Sequence, residues 1–529
     1  MNCHYSLKYA FCHARLIRYS VNKEYELKLS LTPEVAEKLT RKKALSGVSK
    51  KRRQQRRLVS TYYDTPRHIL RKSGMALRIR NDGRKHTQTL KVRTSGPAGL
   101  QNHDEWSAVV DGDRPNFERI DDDELARSLM RRRCEDRLKS LFTTDVERTS
   151  MVLKTPGAKV ELAIDQGHIR AEKNGRQREE SVCEAELELV SGDPASMLEL
   201  ALELCETYDI QLAHRTKAER GYALARPSLR PRPAKARLRA LDPAMTAGEA
   251  FDAVIRSALH HLFVNYEPTL KGHPEGVHQY RVAMRRLRAA LRCFKKLLPY
   301  DKRKAFNGEF RWFQQRLGPA RDWHVFLDET VPLVAKSRFG DEEGVERLRR
   351  IARTQRLRST RDGTELLESR RHARLILQFE RWLAGLREGA DPKRFNMPVQ
   401  DFGRAVLRKT HGELVADKRA LSRMPPDHLH ELRKRGKKLR YASEFFSPLW
   451  PREEARPLLK MLERLQNRLG EANDAAVARH ILVTLGPQRV DHSAMRLMDD
   501  WSEARIANRI RKAMPHWRHL RSAEPFWEG

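Results

Sequence analysis

Between Tyr25 and about Leu224 the chain runs in short segments where apolar and polar residues alternate: YELKLSL, ALRIR, TQTLKVR, AKVELAI and AELELV. A period of two is the signature of strands with one buried face, and the Gly- and Pro-containing turns between them predict an antiparallel sheet. Helical interruptions are expected at 33–45 and 195–208. Residues 226–243, RPSLRPRPAKARLRALDP, carry prolines and basic residues with little apolar periodicity, which predicts a linker. Beyond it the period changes. AFDAVIRSALHHLF, VAMRRLRAALRCFKKLL, AVLRKTHGELV and LLKMLERLQNRL place apolar residues at helical spacing, so this half should be all helix.

The helical half repeats itself. HQYRVAMRRLR at His278 matches HELRKRGKKLR at His430, and LGPARDWHVF at Leu317 matches LGEANDAAVA at Leu469, both at an offset of 152 residues. One shared offset predicts two similar units, each long enough for a bundle of about four helices.

A chain of 529 residues holds two or three domains with cores of their own. The six cysteines form no CxxC pair and have no His at metal-ligand spacing, which argues against a zinc or disulfide framework and for a reducing cytoplasm. No run of about 18 apolar residues predicts a membrane span, and Lys8, Arg15 and Arg18 interrupt the opening segment, unlike a signal peptide. Residues 1–20 read as an N-terminal extension or a product of start-codon choice. The net charge of +35 changes the picture most, because it implies a polyanionic partner. Nucleic acid is the ordinary expectation, yet base-stacking aromatic clusters are few and no zinc-finger or RNP-like motif is present. A polyanion without bases stays open.

Strand parity sharpens that idea. In EYELK, Glu24, Glu26 and Lys28 share one face while Tyr25 and Leu27 share the other; in CEAELEL, Glu184, Glu186 and Glu188 oppose Cys183, Ala185, Leu187 and Leu189. Cations alternate in the same way: Arg78 and Arg80, then Lys91 and Arg93. For any one segment such alternation equally describes a solvent face. If the charged faces all turn inward, a barrel would enclose carboxylates placed for a divalent metal and cations placed for phosphate oxygens. Such a lumen suits a triphosphate chain with Mg²⁺ or Mn²⁺.

The order of these segments resembles the CYTH domain of the triphosphate tunnel metalloenzymes across residues 22–224. The resemblance rests on ExExK at Glu24, Glu26 and Lys28, YYDTP at Tyr62, GMALRIRNDG at Gly74, TLKVR at Thr89, a DxG turn at Asp165 and Gly167, ELEL at Glu186, and TKAERGY at Thr216. It implies a closed eight-stranded antiparallel tunnel. It also implies metal binding by Glu24, Glu26, Glu186 and Glu188, with Asp165 a further candidate metal ligand and Glu161 a further inward carboxylate. Phosphate contacts are implied at Lys28, Arg78, Arg80, Lys91, Arg148 and Lys217, with Arg93 a further candidate phosphate contact. Lys28, with Glu24 and Glu26, is the implied catalytic set, the lysine orienting or activating water. One departure stands out: relatives often show Arg-x-Glu-Trp followed by Glu, where this chain reads His103, Asp104, Glu105, Trp106 and Ser107.

On a helix, His278, Arg281, Arg285 and Arg288 fall within an arc of about 80°, opposite Leu287, Leu291 and Phe294. His430, Arg433, Lys437 and Arg440 repeat these spacings. Four stacked like charges repel, and a bound polyanion would offset the cost; a solvated basic face is the competing reading. Residues 246–521 resemble the CHAD domain, most specifically through VHQYRVAMRRLR and LGPARD. That resemblance implies two pseudo-symmetric four-helix bundles whose basic surface binds inorganic polyphosphate. The candidate contacts also take in Arg286, Arg321, Lys434 and Lys438. Asn473 replaces Arg321 in the second repeat, and Asp322 and Asp474 are expected to brace basic neighbours.

The combined expectation is an α+β multidomain chain: an extension (1–20), a tunnel domain (21–226), a linker (227–244) and a helical domain (245–521, repeats 245–395 and 396–521). Its expected function is metal-dependent hydrolysis of triphosphate or short polyphosphate, with longer chains docked by the helical half. The expected setting is cytoplasmic, associated with polyphosphate granules, with no membrane or specific nucleic-acid partner and an oligomeric state left open. A decayed tunnel that only binds polyphosphate, and a tunnel enzyme acting on a nucleotide or an organic triphosphate, are the alternatives.

Overall fold

The structure, a computed structural model, describes residues 23–41, 49–50, 53–95, 100–131, 134–237, 241–387, 391–417, 419–490 and 492–528. Two compact units separate between Arg230 and Pro231, within the Pro- and Arg-rich stretch; the short segment Leu202–Thr207 groups with the second unit.

The first unit is built on eight long strands: β1 (Lys23–Ser30), β2 (Gln54–Asp64), β3 (Met75–Asn81), β4 (His86–Ser95), β5 (Leu100–Val110), β6 (Lys139–Thr155), β7 (Ala158–Lys173) and β8 (Arg176–Gly192). All pairings are antiparallel, in the order β1-β5-β4-β3-β2-β6-β7-β8, with two-residue strands at Ser49–Lys50 and Gln211–Leu212 added to β6 and β1. β1 bonds twice: its first half pairs with β5, from Lys23 opposite Asp104, and its second half with β8, from Glu26 opposite Glu188 to Ser30 opposite Glu184.

The apolar strand faces meet helices. Met75, Leu77 and Ile79 of β3 and Leu90 of β4 form one core with Leu125 and Leu129, which belong to the helix Asp123–Arg131. The alternate residues of β3, Ala76, Arg78 and Arg80, face a cavity of about 430 Å³. A second apolar cluster joins Leu58, Tyr62, Phe142 and Val146 to Tyr222 and Ala225 of the helix Lys217–Ala225. That helix begins at a capping box, Thr216 with Glu219, which satisfies two end groups reciprocally. Phe142 stacks on Tyr62 with ring centroids 4.6 Å apart and meets the Tyr222 ring edge-on. A methyl at Gly221 would lie 2.1 Å from the Phe142 ring. Asp165 and Gly167 sit in mid-strand, with Asp165 paired to Arg148 and Glu184, so the turn expected at this DxG does not form. Gly167 is required there for another reason: a Cβ would stand 2.1 Å from the Asp145 carbonyl oxygen.

The second unit is helical among the described residues, and its helix starts carry the sequence repeat. Ala247 and Val399, Pro274 and Pro426, and Tyr300 and Arg452 begin helices 152 residues apart. The repeats also differ. Helix Tyr300–Arg316 ends before Gly318, whereas Arg452–Leu485 runs straight through the equivalent Gly470, and the first repeat adds a helix at Arg370–Ala384. Residues 231–237 do not behave as a free linker. The Ala234 amide donates to Asn265 at 3.0 Å, and the His261 ring and Asn265 amide both reach the Ala234 carbonyl. No described helix is long and apolar enough to cross a membrane.

Because Phe142 is held between two rings, Gly221→Ala cannot be absorbed by a small shift. It should destabilise the first unit by roughly 1–3 kcal/mol, as overpacking of a filled core does, read as a lower urea midpoint with an unchanged slope.

Candidate functional site: a charged cavity in the sheet and a basic face on paired helices

Parity decides what enters the cavity. Glu26 and Lys28 of β1, Arg78 and Arg80 of β3, Lys91 of β4, Glu105 of β5, Arg148 of β6, Asp165 of β7, and Glu186 and Glu188 of β8 all line it. The side chains of Glu24, Arg93 and His103, all named above, lie outside the described residues.

Charge divides the cavity into two regions. In one, every cation has carboxylate partners. Glu186 is the hub: Lys28, Lys217 and Arg148 all bond to it. Arg148 also grips both oxygens of Asp165 at 2.6 Å. Lys28 reaches Glu26 at 2.6 Å, and Lys217 bridges Asp165 at 2.6 Å and Glu184 at 2.5 Å. Burial alone would raise the carboxyl pKa of Glu186 and Asp165, but the surrounding cations outweigh it and hold both below the ordinary range. Burial likewise opposes the charge on Lys28, yet Glu186 and Glu26 raise its pKa. These partners favour the ammonium form of Lys28, which donates hydrogen bonds to Glu26 and Glu186.

The other region is cationic. Arg78 and Arg80 form no ion pair with any described carboxylate. Arg80 has the Ser60 hydroxyl at 3.4 Å, and Arg78 and burial push its pKa down to about 10. Tyr62, paired opposite Arg78, brings its phenol into the same space. Burial would raise that phenol's pKa; Arg78 and Arg80 lower it instead. Tyr62 and Ser60 were missed by sequence reasoning, although their places opposite Arg78 and Arg80 follow from the pairing. Glu105 was missed as a cavity residue too. It pairs with Lys91 at 2.7 Å, and the pull of Lys91 and Arg78 outweighs burial to bring its pKa from 4.5 to about 2. Ser107, where relatives often carry Glu, is exposed and bonds Thr89 and Glu105.

Metal ligation has to be judged against these bonds. Asp165, Glu184 and Glu186 present oxygens within 4.8 Å of one another, a carboxylate cluster of the type hard divalent cations take. The Lys217 ammonium already lies among them. Asp165, expected as a metal ligand, belongs to that cluster; it is fully buried, and Arg148 and Lys217 engage its oxygens as they do those of Glu186. Glu26 and Glu188, opposite each other on paired strands, line the cavity with Glu186 and add carboxylates of the kind a divalent cation takes.

In the helical unit, Pro274–Cys293 and Pro426–Phe446 pack so that Arg285 donates to the Tyr441 hydroxyl at 3.2 Å and Arg440 lies over the Tyr441 ring. Arg281, Arg285 and Arg288 on one helix, with Arg433, Lys437 and Arg440 on the other, are half-buried. Arg286 departs from the expected surface role. It is 1% exposed, pairs with Glu444 and lies over the Phe445 ring, because its place on the helix turns it toward the core. Lys434 and Lys438 are exposed and pair with Glu431 and Glu413. Arg321 is half-buried, with Glu329 at 3.3 Å, and Asp322 lies close enough to Arg281 for their charges to interact. The histidines add no charge near neutrality. Burial and Arg321 bring His278 down to about 4, and burial with Lys434 and Arg433 lowers His430. Lys437 is pushed down to about 7 by burial and by Arg433, Arg285 and Arg440.

Residues 22–222 match the family model of the CYTH domain, and residues 253–483 that of the CHAD domain. The chain carries a CYTH domain and a CHAD domain. An inorganic triphosphatase of Haemophilus influenzae is 31% identical over 204 residues, or 38% of this chain and 54% of that protein. This chain thus spans about half the length of that curated relative, and the matched residues number about as many as the CYTH domain holds. A CHAD domain from the plant Ricinus communis is 29% identical, covering 55% of this chain and 99% of that one with a TM-score of 0.48. PptA from Streptomyces chartreusis is 17% identical, covering 52% and 99%, with a TM-score of 0.40.

The CYTH cavity carries an acid-lability of known sign. A carboxylate with a folded-state pKa below its unfolded value stabilises fully above the unfolded value, and that contribution fades as pH falls toward the folded one. For Glu105 this window runs from 4.5 down to about 2, and Asp165 shifts in the same direction. The CYTH domain should lose stability progressively below about pH 4.5. Asp165→Asn, which strands two buried cations, should cost roughly 3–5 kcal/mol at neutral pH and flatten the acid slope in urea titrations.

Proposed function

We propose that the CYTH domain hydrolyses inorganic triphosphate or short polyphosphate with a divalent metal, and that the CHAD domain docks longer polyphosphate, in a cytoplasmic protein with domain limits near 21–226 and 245–521. The observation that carries this reading is the pair Arg78 and Arg80, which line the cavity beside the Tyr62 phenol and form no ion pair with a described carboxylate. Crowding two guanidiniums is costly, with Arg78 lowering the proton affinity of Arg80, and a multiply charged anion offsets that cost. The pairing of β1 with both β5 and β8 supports a closed eight-stranded tunnel around it.

A bound Mg²⁺ or Mn²⁺ at Glu26, Glu186 and Glu188 would supply charge neutralisation and water activation at the terminal phosphoryl group. The chain's own residues do the rest. Arg78, Arg80 and Lys91 hold the phosphate oxygens and absorb charge that develops on the leaving pyrophosphate. Lys28, held as an ammonium, fixes the Glu26 and Glu186 carboxylates and offers a donor toward the attacked group. Arg148 keeps Glu186 and Asp165 in place. In the CHAD domain, the half-buried arginines of Pro274–Cys293 and Pro426–Phe446 form one basic face for a flexible polyanion. Cys183, Cys205 and Cys293 form no disulfide, which suits a reducing compartment.

Two outcomes are expected. Glu26→Gln with Glu188→Gln should cut metal-dependent phosphate release from triphosphate by about 100-fold or more, the scale seen when a transition-state charge partner is removed, while polyphosphate retention stays unchanged; full hydrolysis by that variant defeats the reading. Because a polyanion favours charged Lys437, retention should weaken as pH rises through about 7, and Lys437→Arg should flatten that dependence in salt-elution profiles on immobilised polyphosphate.

A further inference from the structure

Lys217 is the residue whose surroundings depart furthest from the phosphate contact expected of it. An ammonium has three protons to donate. Those of Lys217 face three carboxylates: Asp165 at 2.6 Å, Glu184 at 2.5 Å and Glu186 at 2.9 Å. Its side chain is 9% exposed. Lys217 also occupies the first position of its helix, where the positive end of the backbone dipole disfavours a cation, so only the carboxylates account for its placement. The same three carboxylates present their oxygens within 4.8 Å of one another. Arg148 binds Asp165 and Glu186, Lys28 binds Glu186 and Arg220 binds Glu184, whereas Lys217 reaches all three carboxylates.

We propose that Lys217 is a positioning residue, a built-in monovalent cation that fills the Asp165, Glu184 and Glu186 cluster in place of a second divalent ion. It thereby confines divalent metal to the Glu26 and Glu188 side of the cavity, an assignment that rests on the metal-dependent reading above. With its ammonium held among three carboxylates, Lys217 acts on phosphate through Glu186, which it shares with Lys28 and Arg148.

The test counts Mn²⁺ bound to the full chain without any phosphate, from the loss of the free-ion signal in electron paramagnetic resonance. Lys217→Met keeps the side chain's length but removes its charge, and should bind one more Mn²⁺ per chain than the wild type. Lys217→Arg, which keeps the charge, should bind the wild-type number. Should Lys217→Met fail to fold by circular dichroism, the same count on Lys217→Gln decides. An unchanged count in the neutral variant, together with a tenfold or greater weakening of triphosphate affinity, overturns the proposal and makes Lys217 a phosphate contact. Hydrolysis plays no part in the count, so a wild-type chain that releases no phosphate sinks the functional reading while leaving this one standing.

Discussion

Burying like charges in one enclosed space is the constraint on which the first unit depends. A β-strand offers only two faces, and here the apolar face of β3 and its neighbours goes to helices while the charged face lines the cavity. Each inward charge then needs a partner of the opposite sign, because an unpaired charge in a poorly solvated space is costly. Glu186 meets this need for three cations at once. Around it every described cation has a carboxylate in ion-pair range, whereas Arg78 and Arg80 form no ion pair with a described carboxylate.

The same logic takes another form in the CHAD domain. Its cations are spread along two packed helices and remain half-buried, so part of their repulsion is relieved by solvent. The structure also sorts residues that look alike in sequence. Arg285 and Arg286 are neighbours, yet one donates to Tyr441 on the partner helix and the other is sealed against Phe445 and Glu444. A step of one residue on a helix turns the side chain by about 100°, enough to move it from the basic face to the core. The histidines of the stripe share its spacing without sharing its charge, because burial and neighbouring cations hold their pKa values down.

Rigid aromatic packing links the two ends of the charged cavity. Tyr62 stands beside Arg78, stacks on Phe142, and through that ring meets the helix that carries Lys217. The Tyr222 hydroxyl donates to Asp64 at 2.9 Å, and Asp64 in turn accepts the Leu70 and Arg71 amides. The YYDTP segment is therefore a brace as well as a cavity wall.

From sequence alone, the change of period from two to helical spacing separated a strand half from a helical half, and the 152-residue offset predicted the repeated helix starts. Parity also identified which strand residues share a face, since that depends only on the backbone's two-residue repeat. It could not tell an inward face from a solvent face, because both alternate identically. Tertiary structure decided that, along with every pairing. Glu105, Tyr62 and Ser60 enter the cavity through cross-strand register, Lys217 meets Asp165 and Glu184 through helix placement, and Asp165 sits in mid-strand. These contacts join residues tens to more than a hundred positions apart, and no local spacing encodes which of several like-charged side chains will be nearest once the chain has folded.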